Sequence, residues 1–151
     1  MKRFLSIAAL TFFSIIMASA QERLTINVDA PEGLEQENAV TTLTSNLRQA
    51  LVLNDAASDG SRFVLQTQVA ILSTDITRTA PSMFVIELEI SLAVKDTVSH
   101  DILSQTSFTV KGISDNEKSS IMDAVRKVKA RDPKLRTLIN QAKQYFEEHI
   151  Y

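Results

Sequence analysis

Phe84-Val85-Ile86-Glu87-Leu88-Glu89-Ile90-Ser91-Leu92-Ala93-Val94 sets an apolar side chain at every even position, with Glu87, Glu89 and Ser91 between them. A strand turns successive side chains to opposite faces, so this period of two predicts a strand with one covered and one polar face. One-sided alternation of this kind belongs to antiparallel sheets with a single face on a core. The rest of the chain must supply the cover.

Upstream, Phe63, Leu65, Val69 and Ile71 share one face of a second strand, with Gln66 and Gln68 opposite. Downstream, residues 102 to 111 read as a weaker strand rich in Ser and Thr, suited to a sheet edge, and 96 to 101 is short enough for a hairpin. The connection 73–82 is longer and polar, with Thr74, Asp75, Thr77, Arg78 and Thr79 ahead of Ala80-Pro81, and is read as a surface loop open to binding.

Further out, Leu24, Ile26 and Val28 alternate with Thr25 and Asn27 as a short strand that Pro31 and Gly33 end. From 35 to 53, Ala39, Leu43, Leu47, Ala50 and Leu51 recur at helical spacing, with Glu35 and Glu37 at the positive end of the dipole. Ser114-x-x-Glu117 reads as a capping box for a helix through Ile121, Val125 and Val128. Asp132-Pro133 ends that helix and starts another, with Leu135, Leu138, Ile139, Ala142 and Phe146 on one face. The predicted order is β-α-β-β-β-α-α. It makes a two-layer α+β domain: a mainly antiparallel sheet of three to four strands, helices on one face, and one parallel, right-handed crossover at the first strand.

The first twenty residues are read as an address. Lys2 and Arg3 precede an apolar run from Phe4 to Met17, and Ala18-Ser19-Ala20 is a signal-peptidase site. The run is too short for the roughly 20 residues that span a bilayer. The expected mature chain, 21–151, is one α+β domain that does not span a membrane, periplasmic or secreted. Of 151 residues 44% are hydrophobic and 23% charged, a globular balance, and none is Cys. That absence excludes disulfides, thiolate metal sites and a lipidated Cys within this sequence, so the expected protein is not a lipoprotein.

Several stretches carry a resemblance: Gly60-Ser-Arg-Phe-Val-Leu65, Thr79-Ala-Pro-Ser-Met83, Gly112-Ile-Ser-Asp-Asn-Glu-Lys118 and Ala142-Lys-Gln-Tyr-Phe-Glu147. Across nearly the whole mature chain they resemble exported Bacteroidales proteins of unassigned role. In element order the domain also resembles periplasmic modules of curli secretion and the amino-terminal domain of the Tol–Pal propeller protein. The first resemblance implies an alternative, a truncated relative of a secretion or envelope-assembly component, because such relatives continue into another domain where this chain stops at Tyr151.

Motifs that place a nucleophile, metal or phosphate at a defined geometry are missing: no G-x-S-x-G, S-x-x-K, H-E-x-x-H, Walker loop or EF-hand occurs. The reading leans away from an enzyme, and no cofactor or metal is expected. Glu87 and Glu89 form the best carboxylate pair, on one strand face with Cα atoms roughly 6.5–7 Å apart. They leave a small glycan hydrolase as an alternative. Asp96, His100 and Asp101 crowd one turn, as turn formers or as partial cation ligands.

Charge is unevenly spread. Residues 21–61 carry two basic and seven acidic groups, whereas 102–151 carry nine and six. Arg126, Lys127, Lys129, Arg131, Lys134 and Arg136 cluster about the joint between the last two helices, with Asp132 the sole acid among them. With Arg78 they are the candidate binding residues, suited to an acidic protein or anionic envelope polymer, or else simply helix-end and solvated charge. Nucleic acid is not expected of an acidic exported chain without interleaved aromatics. The expectation is a non-enzymatic interaction or accessory module of the bacterial envelope.

Overall fold

The computed structural model describes residues 23–150; the expected signal segment 1–20 lies outside them. The elements are β1 (Ile26–Val28), α1 (Glu37–Leu53), β2 (Phe63–Ile76), β3 (Phe84–Asp96), β4 (Ile102–Ser114), α2 (Glu117–Arg126) and α3 (Pro133–His149). This is the predicted order. The strands form one sheet in the order β1-β2-β3-β4. β1 runs parallel to β2 and the other pairs are antiparallel, so the sheet is mixed, with its single parallel pairing where the α1 crossover requires it.

The alternation of β3 sets the layers. Ile86, Leu88, Ile90, Leu92 and Val94 are buried beneath the helices, while the odd positions stay part-exposed. α1 brings Ala39, Leu43, Leu47, Ala50 and Leu51 to this core, and α3 brings Leu135, Leu138, Ile139, Ala142 and Phe146. Fully burying each Leu or Ile is worth about 1.5–3 kcal/mol, so the three apolar stripes dominate the packing. Phe146 meets Phe63 edge-on at 5.6 Å, closing the core at the β2 end. Among the described residues no helix is long and apolar enough to cross a membrane.

Polar anchors fix the helices in register. Ser104 Oγ donates to Leu138 O at 2.8 Å, joining β4 to α3. Asn46 Nδ2 donates to Val128 O at 3.0 Å, joining α1 to the α2–α3 joint. Gly112 is the point of closest approach between β4 and α2: a Cβ there would fall 1.8 Å from Ser120 O. Thr67, buried on the core side of β2, has a hydroxyl without a hydrogen-bond partner among the described residues.

Four local expectations change. Residues 73 to 76 are strand, not loop, because β2 continues past a bulge at Leu72. The extra residue leaves both Ile71 and Leu72 half exposed, which breaks the alternation that would have revealed the strand. The turn shrinks to 77–83, closed by Thr77 N–H to Met83 O at 2.8 Å and Met83 N–H to Thr77 Oγ1 at 2.8 Å. Helix α2 is capped by Asn116, whose Oδ1 accepts from Ser119 N–H at 2.8 Å, so the capping box drawn on Ser114 sits two residues early. α1 begins at Glu37 rather than 35.

Candidate functional site

The helices leave the other face of the sheet open. Register carries rows of side chains across it: Gln66–Ala93–Gln105, Gln68–Ser91–Ser107, Ala70–Glu89–Thr109 and Ser73–Glu87–Lys111. Small Ser91 and Ala93 lie on the central strand, and longer Gln66, Gln68 and Gln105 flank them. The result is a shallow open trough of about 500 Å³. Ser91 and Ser107 hydroxyls stand 3.5 Å apart across its floor.

The trough has no ionisable side chain in its middle rows. Glutamine amides and hydroxyls each offer both donors and acceptors, so the surface can bond a neutral polar partner along its length. Lys95 bounds one end, and Glu87, Glu89 and Lys111 bound the other. The sequence had marked Gln66, Gln68 and Ser91 as the polar side of their strands; the trough emerges only once register sets Gln105 and Ser107 beside them.

Glu87 and Glu89 do share the open face, as their spacing predicts. Glu87 Oε2 lies 3.9 Å from Lys111 Nζ, and Glu89 sits between Ala70 and Thr109. Two carboxylates on a flat ladder, one beside a lysine, make a charged rim to the trough.

Asp96 continues the inward series of β3 and is buried, although it is charged. Arg62 Nε and Nη2 reach its carboxylate at 3.1 and 2.5 Å, Val98 N–H donates to Oδ1 at 2.9 Å, and Ser99 Oγ donates to Oδ2 at 3.0 Å. The Arg62 hydrogen bonds lead in holding this carboxyl well below the usual carboxylate range, against the opposing effect of burial. Its oxygens are thus committed to folding the β3–β4 hairpin. Among the described residues no group of three His, Cys, Asp or Glu side chains is arranged to hold a metal ion.

The basic residues divide. Lys127 Nζ donates to Lys111 O and lies 3.8 Å from Asp123, so it is tied to the edge of β4. Lys134 Nζ stands 5.3 Å from the Phe108 ring centre, and its N–H is capped by Asp132 Oδ1 at 2.9 Å. Arg126, Lys129, Arg131 and Arg136 are exposed about the same joint. Arg78 is exposed on the β2–β3 turn, beyond Ile76 and Phe84, and belongs to a different part of the surface.

No family model and no curated protein matches this sequence. Among solved structures the chain is similar in fold to a minor lipoprotein from Acinetobacter baumannii, at 10% identity over 78% of this chain and 94% of that one, TM-score 0.52. It is similar to a Xanthomonas campestris protein from a family of unknown function, at 12% identity over 87% and 90%, TM-score 0.52. A candidate lipoprotein from Caulobacter crescentus aligns at 13% identity over 83% and 93%, TM-score 0.50. At these identities the shared property is the fold.

Proposed function

We propose that this chain is a non-enzymatic accessory domain of the bacterial envelope that works by presenting its open sheet face to a protein or envelope polymer. The observation that carries the reading is the trough: glutamine amides and serine hydroxyls about a floor that includes Ala93, with neutral middle rows and a charged rim. Such a face binds by hydrogen bonding and does not move protons. The leader-like start of the sequence and the lipoprotein names of two fold neighbours support an envelope setting.

The test is capture from solubilised envelope with the full chain as bait. Ala93→Arg fills the trough floor and leaves the core face untouched; it is expected to abolish recovery of the partner that the parent chain retains. Undiminished recovery overturns the sheet-face reading. A second reading rests on the joint, where Arg126, Lys129, Arg131 and Arg136 stand exposed. If Arg126→Glu with Lys129→Glu abolishes capture while Ala93→Arg does not, an anionic partner docks there instead. Glycan turnover that disappears in Glu87→Gln or Glu89→Gln would return the domain to the hydrolases.

A further inference from the structure

β4 is an edge of the sheet, with β3 on one side and, among the described residues, no strand on the other. Successive residues of a strand point their backbone N–H and C=O groups to alternate sides. Ile113 N–H donates to Asp123 Oδ2 at 2.9 Å and Lys111 O accepts from Lys127 Nζ, so the odd positions face away from β3. Pairing with β3 is unbroken from Ser104 to Ser114, which turns Gln105, Ser107 and Thr109 outward as well. α2 therefore seals the 111–113 end of the edge with one acceptor and one donor. At the other end the β3–β4 register shifts between Val94 and Lys95, and Leu103 is buried.

Between these two stops, the backbone groups of 105, 107 and 109 have no hydrogen-bond partner among the described residues. Their side chains are exposed and uncharged. Lysine, proline and bulges are the usual devices that blunt an edge, and this stretch has none of them. The opposite edge is different: β1 has three residues, and Ile26 N–H and O are taken by Ala56 O and Ser58 N–H. Beyond the part that β1 and Glu32 cover, β2 from 70 to 76 is blunted by the bulge at Leu72 and by Asp75, so among the described residues 105–109 is the regular, uncharged stretch of edge left open.

We propose that a second copy of this chain pairs its β4 antiparallel with this edge, about a two-fold axis at Ser107. Ser107 then faces Ser107 of the partner subunit, and Gln105 faces Thr109 of the partner subunit. About six backbone hydrogen bonds form where the described residues of the single chain make none. On the open face neutral side chains oppose neutral ones across the seam, and cross-strand hydroxyl and amide pairs of this kind are favourable. The pairing consumes the open edge of each copy, so it closes as a dimer and does not continue as a fibre. It also joins the two open faces into one eight-stranded surface, and it adds to the sheet-face reading without depending on it.

The test is sedimentation of the purified full chain from micromolar to millimolar concentration. A monomer–dimer equilibrium is expected. Ser107→Lys sets two ammonium groups opposite each other across the axis, on Cα atoms about 5.5 Å apart, and should weaken association at least tenfold. Gln49→Lys makes the same change on the exposed side of α1 and should leave association as it was. Thr109→Lys, opposite Gln105 of the partner subunit, is the second edge variant should Ser107→Lys misfold by circular dichroism. A chain that stays monomeric to millimolar concentration, or a dimer indifferent to folded edge variants, overturns the proposal.

Discussion

Replacing Gly112 by Ala asks how α2 is held on the sheet. The glycine is not needed for an unusual backbone angle, since its φ is not positive. It is needed for approach. The new Cβ would stand 1.8 Å from Ser120 O and 2.6 Å from Ala124 N, both backbone atoms of α2, so no side-chain rotation relieves the overlap. Contacts to carbon begin near about 3.5 Å, so the helix must withdraw by roughly 1.7 Å. Withdrawal strains the Ser120 Oγ bond to Phe84 O, 2.9 Å long, and loosens Ile121, Ala124 and Val125 from the core. Overpacking of this kind costs about 1–3 kcal/mol, and a weakened hydrogen bond adds about 1 kcal/mol. Against this, Ala lowers the entropy of the unfolded chain, which favours folding by about 0.4–1 kcal/mol. The net expectation is a loss of about 1–3.5 kcal/mol, read as a lower urea midpoint at unchanged slope. A midpoint equal to or above that of the parent refutes the close-approach account, because chain entropy alone predicts that sign. Gly112→Ser should lose more still.

Thr67→Val removes a buried hydroxyl that has no partner among the described residues and keeps the shape of the side chain, so it should stabilise the fold by about 1 kcal/mol. Urea unfolding reads this directly, and a loss of stability would mean that the hydroxyl is satisfied in solution. Asp96→Asn removes the charge that Arg62, Val98 and Ser99 hold at the β3–β4 hairpin. Because Arg62 is half in solvent, screening limits the expected cost to about 1–2 kcal/mol at neutral pH. The folded carboxyl titrates below its unfolded value, so this stability is complete above the unfolded pKa of about 3.9 and is lost as pH falls below it. The gap between parent and Asp96→Asn in thermal melts should therefore narrow below about pH 4, and a gap constant to the lowest pH measured would contradict the assignment.

The parts of the fold that were legible in the sequence are those set by local periodicity. Alternation in 84–94 announced both faces of β3, and the stripe from Leu135 to Phe146 announced the buried side of α3. Asp132 ahead of Pro133 marked the start of that helix, and its carboxylate does cap Lys134 N–H. Legibility failed where one residue shifts the period. The bulge at Leu72 hid the last four residues of β2 and made them look like loop. Asp96 was legible as a turn former, and it does accept from Val98 N–H and Ser99 Oγ, but its burial was not legible: it occupies the next inward position after Val94, where a charge conflicts with the apolar pattern. The conflict is resolved by Arg62, which lies 34 residues away in the chain.

The candidate surface divides along the same line. The sequence by itself determined that Gln66, Gln68, Ser91, Glu87 and Glu89 occupy polar strand faces, because side-chain direction along a strand depends only on parity. It also determined the lack of cysteine and of familiar catalytic spacings. Only the tertiary structure decided that Gln105 stands across Ala93 from Gln66. Only it decided that Asp123 and Lys127 close one end of the β4 edge while 105, 107 and 109 stay open. The physical reason is that hydrogen-bond partners across a sheet are remote in the chain. Parity says which way a side chain points, but pairing decides what it meets and which backbone groups are left to bond a neighbour.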